Sequence, residues 1–304
     1  MPKVSVVIPT YNRAESLPKA VASVLRQTFQ DFEIVVVDDA STDDTDEVVR
    51  SFSDERIRYI RHETNKREAE TRNTGVQNSK GEYIGFIDDD DEWLPEKLEL
   101  QVDLLDKSPP VIGAVYTGFV RIESATGKTL SQWTPAKRGN IFRDMLGQNC
   151  VGTPSTVALR RECFDSVGLF DPTIVFGPDY DMWLRLAEKY QFDCIQRPLV
   201  KYYIHSDRLS TNYELMIAGL EAKLKKHAAL LAIDSKSHSR HYLNLGTYYC
   251  ISGNAKKGRG ALLRAIRLNP FELRHYYNLS LSFLGVGNFN RVKRFRDALS
   301  SAIR

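Results

Sequence analysis

The chain has 304 residues, 42% of them hydrophobic, with a formal net charge of +3; that is ample for a buried core and excludes global disorder. Its four cysteines, Cys150, Cys163, Cys194 and Cys250, make no CxxC pair and there is no histidine cluster, which argues against a disulfide framework or zinc site and for reduced thiols in a cytoplasmic protein. The small net charge hides an asymmetry: residues 205–304 carry 17 Lys/Arg against 6 Asp/Glu, so an acidic front precedes a basic tail.

Val4–Ile8 is a near-continuous apolar run, the pattern of a strand covered on both faces, and too short for a signal peptide. After the turn Thr10-Tyr11-Asn12-Arg13, the residues Leu17, Val21, Val24 and Leu25 make a helical stripe. Glu33–Val37 reads as a second strand, ending in Asp38-Asp39-Ala40-Ser41-Thr42-Asp43. Ser41 or Thr42 is placed to cap a helix carrying Val48, Val49 and Phe52. Ile57–Ile60 reads as a third strand, and Glu68–Gln77 has helical character.

The fourth strand is the most informative. Tyr83-Ile84-Gly85-Phe86-Ile87 is apolar, aromatic and β-branched, then stops in Asp88-Asp89-Asp90-Asp91. Leu94-Pro95 and Glu96–Lys107 predict a helix with Pro95 in its first turn. A charge run is usually a solvated loop, but this one is coupled to a buried strand. Its carboxylates repel one another unless a cation sits among them, and hard oxygen ligands suit Mn2+ or Mg2+. Strands alternating with helices at this spacing predict a parallel, doubly wound sheet, whose ligands bind beyond the carboxyl ends of the strands. Asp38, Asp39 and residues 88–91 all fall there.

Beyond Ser108-Pro109-Pro110 the pattern changes. Val111–Val120 is a longer apolar run, Arg121–Trp133 around Gly127 a hairpin, and Ser155–Leu159 a short strand. Gly177-Pro178-Asp179-Tyr180-Asp181 opens a helix with the stripe Trp183, Leu184, Leu186 and Ala187; acids in a first turn also simply suit the helix dipole. Lys201–His205 predicts a last strand with a histidine at its end. In the tail, His241-Tyr242 recurs as His275-Tyr276, Asn244-Leu245 as Asn278-Leu279, Tyr249 as Phe283 and Gly253-Asn254 as Gly287-Asn288. The offset of 34 is the tetratricopeptide period, and Ala265-Ile266 and Asn269-Pro270 resemble the end of such a unit. After Asn288 the second copy departs, with Arg291, Lys293, Arg294 and Arg296. One and a half to two helical hairpins cannot stand as a solenoid alone. No run approaches the roughly 18–20 apolar residues of a membrane span, so the expectation is a soluble or peripheral protein.

A cation beside paired carboxylates at the switch point of an α/β sheet suits phosphates and diphosphates. For a nucleotide-sugar the chain offers Asp39 as acceptor for a base N–H, Tyr11 to lie on the base, a metal for the diphosphate, and Asp179 or Asp181 to take a proton. Neither GxxxxGK[ST] nor GxGxxG is present, which disfavours ATP and dinucleotides.

Residues 3–210 resemble the family 2 inverting glycosyltransferases. The resemblance is carried by Val4-Ser5-Val6-Val7-Ile8-Pro9-Thr10-Tyr11-Asn12, Val36-Val37-Asp38-Asp39-Ala40-Ser41-Thr42-Asp43, Arg72-Asn73-Thr74-Gly75, Gly81-Glu82-Tyr83-Ile84 and Asp88–Pro95. It implies a GT-A fold, a Rossmann-like, mostly parallel mixed sheet flanked by helices, over 1–212, with a nucleotide half (1–108) and an acceptor half (109–212). An α-helical, basic, tetratricopeptide-like region would follow over 213–304. The implied activity is metal-dependent transfer, with inversion, from a UDP-sugar (or dTDP-sugar) to a hydroxyl of a glycan or lipid-linked acceptor. By resemblance, Pro9, Thr10, Tyr11, Asn12, Asp38 and Asp39 surround the nucleotide, and Arg72, Asp88 and Asp89 the rest of the donor; Arg67, outside the resemblance, is placed either to add a phosphate contact or to lie at the surface. Asp88, Asp90 and His205 hold Mn2+ or Mg2+, with Ser210 following the histidine, and Asp179 is the base.

Two positions depart from the family pattern. Pro178 stands where Glu is usual, which leaves Asp181 as a substitute carboxylate, and Arg67 stands where Gly is frequent. Pro178 also permits an alternative, a non-catalytic nucleotide-sugar-binding scaffold whose repeat tail recruits a partner. The basic tail is suited to an anionic membrane face, and no recognition module for nucleic acid accompanies it.

Overall fold

The computed structural model describes residues 1–205 and 212–284. They fall into two compact units, 1–145 with 149–205 and 146–148 with 212–284. The chain runs β1 (Val4–Thr10), α1 (Leu17–Leu25), β2 (Phe32–Asp38), α2 (Thr45–Arg50), β3 (Ile57–Arg61), α3 (Arg67–Asn78) and β4 (Tyr83–Phe86). It continues with β5 (Glu92–Trp93), α4 (Lys97–Lys107), β6 (Ile112–Glu123), β7 (Thr129–Trp133), α5 (Phe142–Gly147), β8 (Val157–Arg160), α6 (Glu162–Val167), α7 (Pro178–Lys189) and β9 (Gln191–Ile204).

The strands form one mixed sheet in the order β3-β2-β1-β4-β8-β6-β9-β5, with β7 beside β6. β1 and β2 are buried at all seven positions, as two-sided central strands must be. They pair in parallel with each other and with β3 and β4, so the carboxyl ends of four strands share one rim. α3 lies close on this layer because Gly75 has no side chain: a Cβ there would sit 3.1 Å from Val7 Cγ2.

Several boundaries differ from the sequence expectation. The sheet is wholly parallel only over its first four strands; β8 runs antiparallel to both β4 and β6. Ser155 and Thr156 lie in a 3-10 turn, Pro154–Thr156, and the strand starts at Val157. Neither Ser41 nor Thr42 caps α2, whose N-cap is Asp44 without a side-chain bond; the Ser41 hydroxyl instead accepts from the Asn12 N–H. Pro95 precedes its helix, because Glu92 and Trp93 pair with β9 and the Leu94 N–H donates to Leu199 O, which keeps the chain extended. β9 starts ten residues earlier than its apolar end suggests, with Pro198 accommodated at a register shift against β6.

The second unit contains α8 (Tyr213–Lys226), α9 (Ala228–Leu231), α10 (Ser235–Ile251), α11 (Ala255–Leu268) and α12 (Leu273–Leu281). Asn212, Asp234, Asn254 and Glu272 cap α8, α10, α11 and α12 through their side chains. α10 and α11 approach through glycine: a Cβ on Gly246 would stand 2.6 Å from Leu262 Cγ and 2.9 Å from Gly258 O. The histidines related by 34 residues, His241 and His275, are both buried. Gly287, Asn288, Arg291, Lys293, Arg294 and Arg296 lie outside the described residues, as does Ser210. Among the described residues no helix is long and apolar enough to cross a membrane.

Beneath the acidic turn, Lys97 is fully buried, its ammonium 2.6 Å from Gln101 Oε1 and 3.7 Å from the Trp93 ring centroid. Burial pushes its pKa well below the ordinary lysine value. Between the folded and unfolded values the unfolded chain binds the additional proton, so this group makes stability rise with pH. Lys97→Met should therefore raise Tm at neutral pH, by roughly 2–4 °C per kcal/mol relieved, with a gap to wild type that closes toward about pH 10. Paired melting curves across that range check it; a constant gap would exclude the buried charge as its cause.

Candidate active site

The rim at the ends of β1 and β2 is built from turns with unusual backbone. Among the described residues, the non-glycine positions with positive φ are Asn12 (52°), Ala40 (66°) and Arg67 (68°), and all three lie here. Such conformations cost roughly 1–2 kcal/mol each for residues with a Cβ, and they cluster at ligand sites. The turns are cross-tied: Asn12 Oδ1 accepts from the Thr42 N–H at 2.7 Å, and Asp43 Oδ2 from the Ala14 N–H at 3.0 Å. Arg67 explains the family's usual glycine at its position, since the left-handed region is open to glycine without strain.

Asp38 and Asp39 are both interior. Asp38 is fully buried and accepts from Tyr59 Oη at 2.6 Å and the Ser41 N–H at 2.8 Å, so it organises the turn. Asp39 Oδ1 takes His62 Nδ1 and the Lys66 N–H, and Oδ2 takes the Arg67 N–H at 2.7 Å. Asp39 thus caps α3 from another strand, with carbonyl-like capacity left on Oδ2. Pro9 and Thr10 are buried at the end of β1, whereas Tyr11 is 46% exposed and presents its ring beyond it.

The four aspartates after β4 divide by direction. The Asp88, Asp89 and Asp90 side chains are 25%, 13% and 21% exposed, while Asp91 is buried. Asp88 Oδ1 accepts from Arg72 Nη2 at 2.7 Å, and Arg72 also pairs with Glu68. Burial works to lower the Arg72 pKa, but the charges of Glu68, Asp88 and Asp179 hold it above the usual value. Burial, opposed by Arg72, raises Asp88 to about 6, and burial with the Asp90 charge raises Asp89 to about 8. Burial also raises Asp90 and, well beyond the usual range, Asp91. The protein's own cations therefore leave this acidic turn short of positive charge.

His205, at the end of β9, brings Nε2 to 3.8 Å from Asp90 Oδ2, and that buried nitrogen has no hydrogen-bond partner. Two outward carboxylates and an orphaned imidazole nitrogen fit a divalent cation. Among the described residues no three His, Cys, Asp or Glu side chains are gathered as a metal cage. Asp179 is half-buried at the start of α7, with Asn149 Nδ2 at 3.5 Å. The expectation for Asp181 is overturned. Its carboxylate is fully buried and bound to Arg185 Nε at 2.9 Å, because positions two apart on a helix face different sides.

Glu68, His62, Ser155 and Tyr203 are not among the site residues expected from sequence. His62, Ser155 and Tyr203 join the site through long-range hydrogen bonds, and Glu68 through an ion pair with Arg72 one helical turn on. Arg13 stands in the turn singled out by sequence, and its Nε lies 3.9 Å from Asp89 Oδ1.

Comparison with known proteins places this geometry. A model of the family described as Glycosyl transferase family 2 matches residues 5–168. An uncharacterized glycosyltransferase of Rickettsia bellii is 33% identical over 67% of the chain, which spans only 29% of that relative's length. UDP-Glc:alpha-D-GlcNAc-diphosphoundecaprenol beta-1,3-glucosyltransferase WfgD of Escherichia coli is 32% identical over 69% of the chain and 80% of its own length. The crystal structure of S. aureus TarS 1–349 with UDP-GlcNAc superposes with a TM-score of 0.65 at 17% identity, covering 92% of this chain and 91% of that one. The shared fold is GT-A-like.

Truncating Asp181 would take the carboxylate from the Arg185 side chain, which is 16% exposed and keeps its bonds to Val167 O and Leu169 O. Asp181→Ala is therefore expected to cost about 3–5 kcal/mol of unfolding free energy, measured by urea denaturation, whereas Asp179→Asn should fall within about 1 kcal/mol of wild type.

Proposed function

Because the chain belongs to glycosyl transferase family 2, we propose that it transfers a sugar, with inversion, from a UDP-sugar to a hydroxyl of a glycan or lipid-linked acceptor. The observation that carries this reading is the meeting of an undercompensated acidic turn, the orphaned His205 nitrogen and Asp179's field on Arg72 at one rim of the sheet. The relative that acts on a GlcNAc-diphosphoundecaprenol acceptor and the neighbour bound to UDP-GlcNAc support the substrate class.

In this reading Tyr11 lies on the base and Asp39 Oδ2, steadied by the Arg67 N–H, accepts from a base N–H. Pro9, Thr10, Asn12 and Asp38 shape the pocket wall; Arg67 and Asp89 face the donor. Arg72 holds Asp88 in place from below rather than reaching the phosphates itself, since it is 1% exposed. Asp88, Asp90 and His205 would hold Mn2+ or Mg2+, which offsets the negative charge gathering on the departing diphosphate. The acceptor oxygen bonds to the anomeric carbon as the carbon–oxygen bond to the diphosphate breaks, and Asp179 takes the hydroxyl proton. One displacement inverts the configuration.

For the second unit we infer a tetratricopeptide-like hairpin. Tyr242, Leu245, Gly246 and Tyr249 follow the repeat's first-helix spacing, and Ala265 and Pro270 its second. Its lysines and arginines suit peripheral contact with anionic lipid, near a lipid-linked acceptor.

Assay of UDP release with a panel of UDP-sugars, Mn2+ and saccharide acceptors tests the activity. Asp179→Asn should lower kcat by about 10²–10⁴-fold while UDP binding persists, and Asp90→Ala should lose Mn2+-dependent binding of UDP-sugar. Full activity in either variant would overturn that residue's role; UDP-sugar binding without turnover across the panel would favour the scaffold alternative.

A further inference from the structure

Ser155 belongs to no motif, yet it touches the acidic turn at two points and Trp93 at a third. It is fully buried in the 3-10 turn Pro154–Thr156. Its Oγ accepts from the Asp88 N–H at 3.0 Å and donates to Asp91 Oδ2 at 2.6 Å, and its carbonyl accepts from Trp93 Nε1 at 2.8 Å. A hydroxyl has one proton. The Asp88 amide can only donate, so the hydroxyl keeps its own proton available for Asp91. Asp91 is pinned further by the Tyr203 N–H at 3.3 Å, and its own N–H closes the turn on Asp88 O at 3.0 Å.

We propose that Ser155 is a positioning residue for donor and metal binding: its hydroxyl, with the inward Asp91 carboxylate, sets the separation of Asp88 and Asp90. This rests on the metal-dependent reading above and extends it to residues that touch neither donor nor metal. The acidic turn thereby splits its work. Asp91 tethers, and the outward acids bind. The bridge also ties the strand carrying the acids to the segment leading into β8, so the turn is held from both sides.

Without the hydroxyl, the Asp88 amide and one Asp91 oxygen lose their partner in a buried place, and the turn relaxes. Partners of this outer kind typically change metal affinity by about 10–100-fold. Thr156 supplies the control. Its hydroxyl is equally buried in the same turn but bonds only Val151 O and Thr153 O.

The experiment measures Mn2+ uptake in the presence of UDP by electron paramagnetic resonance, together with Tm without metal, for wild type, Ser155→Ala and Thr156→Ala. Ser155→Ala should weaken Mn2+ about tenfold or more and raise the donor KM more than it lowers kcat, while Thr156→Ala leaves Mn2+ affinity unchanged at a comparable Tm. Equal Mn2+ affinity in Ser155→Ala and wild type, or equal losses in both variants, overturns the proposal. If Ser155→Ala does not fold, Ser155→Cys, which keeps the volume and a weak donor, carries the same comparison. A wild-type chain that takes up no Mn2+ with UDP overturns the metal reading and this inference together; binding that survives in Ser155→Ala overturns this inference alone.

Discussion

Four adjacent carboxylates at the end of a buried strand impose the constraint around which the first unit is arranged. In low dielectric their repulsion is strong, and burial pushes all four toward protonation. Arg72 beneath Asp88, Arg13 beside Asp89 and His205 beside Asp90 reach the turn from three separate elements. The charge of the two arginines falls short of that of the four carboxylates. In the proposed reading, an incoming divalent ion would relieve the repulsion that remains.

The sheet's mixed character bears on the same turn. A purely parallel sheet would carry another strand's carboxyl end beside β4, and with it another loop crowding the acids. β8 runs the other way and so presents its amino end at the rim. There the 3-10 turn supplies a hydroxyl and a main-chain carbonyl to the acidic turn and Trp93. β9 then returns in parallel beside β6 and delivers Tyr203 and His205 along residues 90–92.

What could be seen in the sequence was the part written in short-range pattern. The apolar runs at Val4, Glu33 and Tyr83 located central strands because burial on two faces leaves no polar positions. The rim location of Asp39, Asp88 and Asp90 followed from strand polarity alone. Asp181 was misjudged because a helix's opening acids look alike until the packed face is known; Trp183, Leu184 and Leu186 put that face inward and leave Asp181 against Arg185. Pro95 misled for a similar reason, since pairing of Glu92–Trp93 with a strand more than 100 residues away outweighed a local helix signal. Glu68 stands at the helical i,i+4 spacing from Arg72, whereas Ser155 and His62 carry no local signature at all. Their partners lie elsewhere in the chain or depend on which way a side chain turns.

The left-handed residues at Asn12, Ala40 and Arg67 have a consequence for recognition kinetics. Loops locked into such conformations, and cross-tied by side chains, have few alternative shapes to sample before a nucleotide arrives. Encounter then resembles docking onto a finished mould more than the ordering of a floppy segment, so variation in affinity among related ligands would come mainly from how fast they leave.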